Sequence, residues 1–213
     1  MNKTALILVD IQKDFLPGGA FAIPNGDVIL PVINQLASLP FDNILASKDW
    51  HPQNHVSFAI NHNKSVGEKI IHEYVEQILW PVHCVQESPG AEFAEGSFTT
   101  KILKSFLKGT DTNIDSYSTF FDNQHKKSTG LSEYLKKRGI NELYIAGLAT
   151  DYCVKYSVLD AINLGFDVFV VKDACHGIDL HSKDSEKALA QMVDSGAILM
   201  SLQDVSKRLC SKE

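Results

Sequence analysis

Short blocks of apolar and β-branched residues punctuate this chain, separated by stretches in which apolar positions recur every three or four residues. The blocks Ala5 to Val9, Asn43 to Ala46, Leu143 to Ala146, Phe166 to Val171 and Ala197 to Ser201 read as parallel strands buried on both faces. Leu103 to Leu107, just ahead of Lys108, reads as a further strand-like segment. The helical period predicts helices over Val28 to Leu39, Leu131 to Arg138, Val154 to Leu164 and Ser182 to Ser195. Pro31 is tolerable only in the first turn of its helix, and Gly139, Gly165 and Gly196 close the other three. Strands alternating with helices predict an α/β fold, a three-layer α/β/α sandwich around a mostly parallel central sheet. No internal repeat or low-complexity linker divides the chain, so residues 1–213 are expected to form one domain. The irregular stretch from Pro52 to Phe98, rich in His, Pro and aromatics, is long enough to suggest a functional loop.

In open α/β sheets, ligands bind beyond the carboxyl ends of the strands. Polar, reactive residues recur there. Asp10 follows the first strand, and Lys48, Asp49, Trp50 and His51 follow the second. Lys108 follows Leu103 to Leu107, and a five-residue corner ending in Cys153 follows Leu143 to Ala146.

Composition narrows the partners. Apolar residues make up 44% of the chain and charged residues 22%, ordinary values for a globular protein. A net charge of −6 argues against nucleic acid or an anionic membrane as partner. The apolar run near the N-terminus is broken by Asp10 and reads as a first strand, not a signal peptide. The four cysteines, Cys84, Cys153, Cys175 and Cys210, form no CxxC pair and no dense framework, which points to reduced thiols in the cytoplasm.

Cys153 falls where the first turn of the Val154 helix begins. Free N–H groups and the helix dipole at such a place can lower a thiol pKa and hold an oxyanion. The bland alternative is a buried structural thiol. A nucleophilic thiol needs a base or a charge partner, and His51, His55, His176 or the pair Asp10 and Lys108 are the candidates. Asp10 could equally be a turn residue, and Lys108 a solvated lysine. In "KDWHPQNHVSF", Asp49 and His51 share one face of an extended segment, and His83 in "WPVHCVQ" would complete a carboxylate and two imidazoles. That set suits Zn²⁺, with Fe²⁺ or Mn²⁺ as alternatives, and His55 is a candidate outer or fourth ligand. Hydrogen bonding within a loop is the other reading of His51 and His55.

The ordered stretches "ALILVDIQKDFLPGGAF", "SKDWHP", "WPVHCV", "LKGTDTNIDSYSTFFD" and "IAGLATDYCV" resemble the nicotinamidases of the isochorismatase-like cysteine hydrolase superfamily. The resemblance runs from about residue 5 to about residue 175. It implies a metal-dependent hydrolase that converts nicotinamide to nicotinate and ammonia, a step of NAD salvage, through a Cys thioester. It also implies deamidation of pyrazinamide. By motif, Asp10 becomes the base, Lys108 the lysine and Cys153 the nucleophile, and Asp49, His51 and His83 hold the metal. Phe15 and Trp80 become aromatic walls of the pocket, Tyr117 its tyrosine, and the N–H groups of Ala149 and Cys153 the oxyanion hole. A cis peptide is implied at Leu148–Ala149. The partner is then a small molecule, nicotinamide, while exposed apolar edges would support a homo-oligomer. The rival readings are a sibling hydrolase of N-carbamoyl or ureido compounds, which would not need the metal set, and a non-catalytic α/β binding protein, which would have no reason to keep Asp10, Lys108 and Cys153 together.

Overall fold

The computed structural model describes residues 3–210. Eight strands and five helices follow one another: β1 (Lys3–Val9), α1 (Leu30–Leu36), β2 (Asn43–Asp49), β3 (Lys69–His72), β4 (Val75–Ile78), β5 (Lys104–Lys108), α2 (Leu131–Lys137), β6 (Ile140–Leu148), α3 (Lys155–Asn163), β7 (Asp167–His176), α4 (Asp184–Asp194), β8 (Ile198–Met200) and α5 (Leu202–Cys210). Six strands form one sheet in the order β5-β2-β1-β6-β7-β8, and every pairing in it is parallel.

Alternate residues of each central strand face opposite layers. Leu6 and Leu8 of β1, Tyr144 and Ala146 of β6 and Phe169 and Val171 of β7 pack with Ile33 and Leu36 of α1 and Val205 and Leu209 of α5. Ala5, Ile7 and Val9, with Leu143, Ile145, Val168 and Val170, meet Leu131 and Leu135 of α2, Val158 and Ala161 of α3, and Ala188 and Met192 of α4. The three layers follow, as the alternation predicts.

The departures have physical reasons. Helix α1 is shorter than the Val28 to Leu39 pattern because a 3₁₀ turn, Gly26–Ile29, precedes it and the chain turns after Leu36. The hairpin β3–β4 lies inside the stretch read as irregular, and its short strands are largely exposed, so neither carries a buried apolar face to betray it. Helix α5 has no counterpart in the predicted helices, since its charged sequence buries only Val205 and Leu209.

The chain reverses direction across the sheet between β1 and β6, and a ligand site is expected in the crevice at such a switch point. Gly147 makes this junction possible. Its φ is +133°, and a β-carbon there would lie 2.1 Å from the Val9 carbonyl oxygen of the neighbouring strand. One bond further along, the Leu148–Ala149 peptide is cis.

Candidate active site

Four strand ends deliver the reactive groups. Asp10 leaves β1 at φ +48° and is fully buried. Lys108 ends β5 in register with Asp49 at the end of β2. Cys153 lies in a π-helical turn, Thr150–Val154, in which the Val154 N–H donates to the Ala149 carbonyl at 3.1 Å. Such wide turns recur at functional sites. Ser157 fixes this corner by donating to the Cys153 carbonyl at 2.6 Å and accepting from the Thr119 N–H at 2.9 Å.

The Lys108 ammonium joins these groups. It donates to Asp49 Oδ1, to the Ser116 carbonyl at 2.9 Å and to Cys153 Sγ at 3.3 Å. Those three partners use its three N–H groups. Asp10 Oδ2 therefore faces the ammonium at 2.8 Å as an ion pair while accepting no aligned hydrogen bond. Its other oxygen accepts from Ser47 Oγ at 2.6 Å. Oxygens of Asp10 and Asp49 and the Cys153 sulfur lie within 4.8 Å of one another. An unengaged lone pair on Asp10 Oδ2 is thus available to a thiol proton.

The charges follow from this packing. Burial raises the Asp10 pKa above the usual carboxylate value, and the attraction of Lys108 does not cancel it. Burial pushes Asp49 up too, but there Lys108 and His51 outweigh it and hold the group well below the usual range. Burial alone would lower Lys108, yet Asp10 and Asp49 raise it well above an ordinary lysine. Burial holds the Cys153 thiol well above the ordinary range, against the pull of Lys108, and the two carboxylates add to the effect. Whatever lowering the helix start can supply, burial outweighs it here. A third anion beside one ammonium is unfavourable, so this packing favours the neutral thiol.

Beside this group lie Asp49, His51 and His83, all buried, with donor atoms within 4.8 Å of one another. His51 Nδ1 pairs with the Gly109 carbonyl at 2.9 Å and His83 Nδ1 with the Pro81 carbonyl at 2.8 Å. A carbonyl only accepts, so both Nδ1 atoms carry a proton, and Nε2 is the atom each ring has left to offer a metal. Those Nε2 atoms stand 3.7 Å and 3.8 Å from Asp49 Oδ2, too far for a hydrogen bond. A carboxylate and two ring nitrogens turned toward one point, with both rings fixed from behind, fit a divalent metal. Gly109 has a reason to be glycine: its φ is +61°, and a β-carbon would lie 2.3 Å from the His51 ring.

His55 is not grouped with Asp49 and His83, but its ligand atom, with those of His51 and Asp115, also lies within a 4.8 Å cluster. Its ring stacks on His51 with centroids 4.2 Å apart, and its Nδ1 pairs with Ser57 Oγ at 2.7 Å. Burial and the neighbouring His51 push its pKa down to about 4. His176, at the end of β7, pairs with the Pro24 carbonyl at 2.8 Å and takes no part in the cluster.

A pocket with an empty volume of about 390 Å³, its mouth included, opens onto both groups. Phe15, Trp80, Tyr117, Ala149 and Cys153 line it together with Asp49, His51 and His83. Trp80 Nε1 donates to the Tyr117 hydroxyl at 3.2 Å. Sequence reasoning missed two aromatic walls. Phe21 lies 5.2 Å from Trp80 and 5.0 Å from His83, and Tyr152 meets the Trp80 ring edge-on at 5.0 Å. It also missed Ser47, the partner of Asp10. For Phe21 the signal was available, as an aromatic just beyond the "PGG" turn that follows Phe15.

The same arrangement of strands recurs in known proteins. The chain is 42% identical over 207 residues to the nicotinamidase of Escherichia coli (strain K12), covering 96% of this chain and 97% of that protein. A solved structure of an Acinetobacter baumanii nicotinamidase/pyrazinamidase superposes with a TM-score of 0.90 at 42% identity, covering 96% of this chain and 99% of that one. A pyrazinamidase of Pyrococcus horikoshii, solved in complex with zinc, superposes with a TM-score of 0.77 at 35% identity, covering 93% and 99%. Residues 4–204, nearly the whole of the described chain, match the isochorismatase domain, and the protein belongs to that family.

Proposed function

We propose that this protein hydrolyses nicotinamide to nicotinate and ammonia, with Cys153 as nucleophile, Asp10 as proton carrier and Lys108 as their fixed counter-charge. The observation that carries the reading is the Lys108 ammonium, 3.3 Å from the Cys153 sulfur and 2.8 Å from the Asp10 carboxylate, with that sulfur lining an aromatic pocket.

The thiol gives its proton to Asp10 Oδ2 as the sulfur attacks the carboxamide carbon. The negative charge moves from Asp10 to the sulfur and on to the substrate oxygen, so the net charge around Lys108 never rises. The N–H groups of Ala149 and Cys153 are the proposed donors to that oxygen. Asp10 then passes its proton to the amide nitrogen, the C–N bond breaks and ammonia leaves, with the acyl group held as a thioester on Cys153. Asp10 next takes a proton from a water molecule as that water attacks the thioester, the C–S bond breaks, and the proton returns to the sulfur. Phe15, Phe21, Trp80 and Tyr152 suit the faces and edge of a flat heteroaromatic ring. Asp49, His51 and His83 would hold a divalent ion, Zn²⁺ foremost and Fe²⁺ or Mn²⁺ as alternatives. Bound there, it would supply an electrophile for a ring nitrogen, and the residues that hold it would thereby help orient the carboxamide toward the sulfur.

Pyrazinamide, with the same ring shape and carboxamide, falls within this chemistry. The protein acts as one domain of 1–213 in the cytoplasm, a setting supported by four free thiols. No described helix is long and apolar enough to cross a membrane. Exposed apolar residues such as Ile71 and Ile198 would serve a homo-oligomer. The test is a panel of nicotinamide, pyrazinamide and an N-carbamoyl amine with ammonia release as readout. Turnover of the two ring amides is expected. Turnover of the N-carbamoyl amine alone would assign the site to a sibling hydrolase.

A further inference from the structure

The segment from Asp10 to Phe15 contributes one proposed catalytic residue, but two other side chains in it reach past that residue to the metal-binding set. Strand β1 ends at Val9, so it offers no backbone to the end of β2. The side chain of Gln12, completely buried, takes that place. Its Oε1 accepts from the Asp49 N–H at 2.8 Å, and its Nε2 donates to the Asp49 carbonyl at 2.8 Å and the Ala91 carbonyl at 2.9 Å. A carboxamide bonded to both the N–H and the C=O of one residue imitates a neighbouring strand, and it fixes the backbone that aims the Asp49 carboxylate.

Asp14 does the same for the opposite side of the set. Its Oδ2 accepts from the Cys84 N–H at 2.7 Å and its Oδ1 from the Ala20 N–H at 3.1 Å. Cys84 follows His83, has φ +45°, and accepts the His51 N–H on its carbonyl at 3.0 Å. The carboxylate is boxed in, since a β-carbon at Gly90 would come within 2.2 Å of it.

We propose that Gln12 and Asp14 are positioning residues that hold Asp49 and His83 in register for one metal ion without touching it. This rests on the reading of Asp49, His51 and His83 as a metal site. Loss of such outer partners typically costs roughly 10–100-fold in metal affinity.

The test uses full-length protein stripped by chelation. Zn²⁺ affinity is measured by competition with a chromogenic chelator for the wild type, Gln12→Glu, Asp14→Asn and Lys13→Ala, together with the visible spectrum of the Co²⁺ form. Gln12→Glu keeps the acceptor for the Asp49 N–H and sets an oxygen against two carbonyls. Asp14→Asn is isosteric and only half-buried, so it carries the test if Gln12→Glu does not fold. Lys13, exposed between the two, is the control. The expected result is a roughly 10–100-fold weaker Zn²⁺ Kd and a changed Co²⁺ spectrum in both variants, with Lys13→Ala unchanged. Wild-type affinity and spectrum in folded Asp14→Asn, or an equal loss in Lys13→Ala, would overturn the proposal. A wild type that binds no Zn²⁺ at all would instead remove the metal-site reading beneath it.

Discussion

Ser47→Ala removes one atom from the site and leaves every proposed reacting group in place. Its hydroxyl donates to Asp10 Oδ1 at 2.6 Å, and both residues are buried. A hydrogen bond to a charged group contributes about 1.5–3 kcal/mol. That stabilisation belongs to the ionised carboxylate, and one pKa unit corresponds to about 1.4 kcal/mol. Loss of the hydroxyl should therefore raise the Asp10 pKa by roughly one to two units. The sign follows from the proposed role. Asp10 must be ionised to take the thiol proton, so activity falls as the pH drops through its pKa. Burial already sets that pKa above the ordinary carboxylate value, and the substitution moves it further up. The assay is kcat/KM for nicotinamide against pH, whose acidic limb reports the free enzyme. The limb is expected to move roughly one to two units toward neutral pH in Ser47→Ala, with little change on the plateau. An unmoved limb in a folded variant would refute Asp10 as the base.

Other substitutions probe the rest of the site. Lys108→Met leaves the buried Asp10 and Asp49 carboxylates without their cation and should abolish turnover. Denaturant unfolding should show a loss of about 3–5 kcal/mol at neutral pH. That loss should shrink in acid, because without Lys108 both carboxyls protonate at higher pH than in the wild type and the uncompensated charge disappears. Phe21→Ala should raise KM for nicotinamide roughly two- to tenfold by removing one aromatic wall, with kcat nearly unchanged; a large fall in kcat alone would place Phe21 outside substrate binding. Cys84→Ser, Cys175→Ser and Cys210→Ser should each retain turnover in the ammonia assay. Cys84 is the demanding case because it adjoins His83.

Much of the fold was legible because the central strands bury both faces and so read as unbroken apolar runs. The hairpin β3–β4 and helix α5 escaped for the opposite reason, as one is largely exposed and the other rests on Val205 and Leu209. The residues brought together at the strand ends were legible from the rule about carboxyl ends, combined with the family motifs. Their partners were not. Ser47, Gln12 and Asp14 act through hydrogen bonds to groups 37 or 70 positions away in the chain, and no local pattern announces such a bond. The thiol pKa was not legible either, because depth and two neighbouring carboxylates raise it, and neither is visible at one helix start.

The most direct measurement compares the wild type with Cys153→Ala, both folded and both loaded with the same amount of metal, at saturating nicotinamide. Ammonia and nicotinate are quantified together. Equal amounts of the two products from the wild type and none from Cys153→Ala are predicted. Continued ammonia release by the variant would contradict a thioester on Cys153.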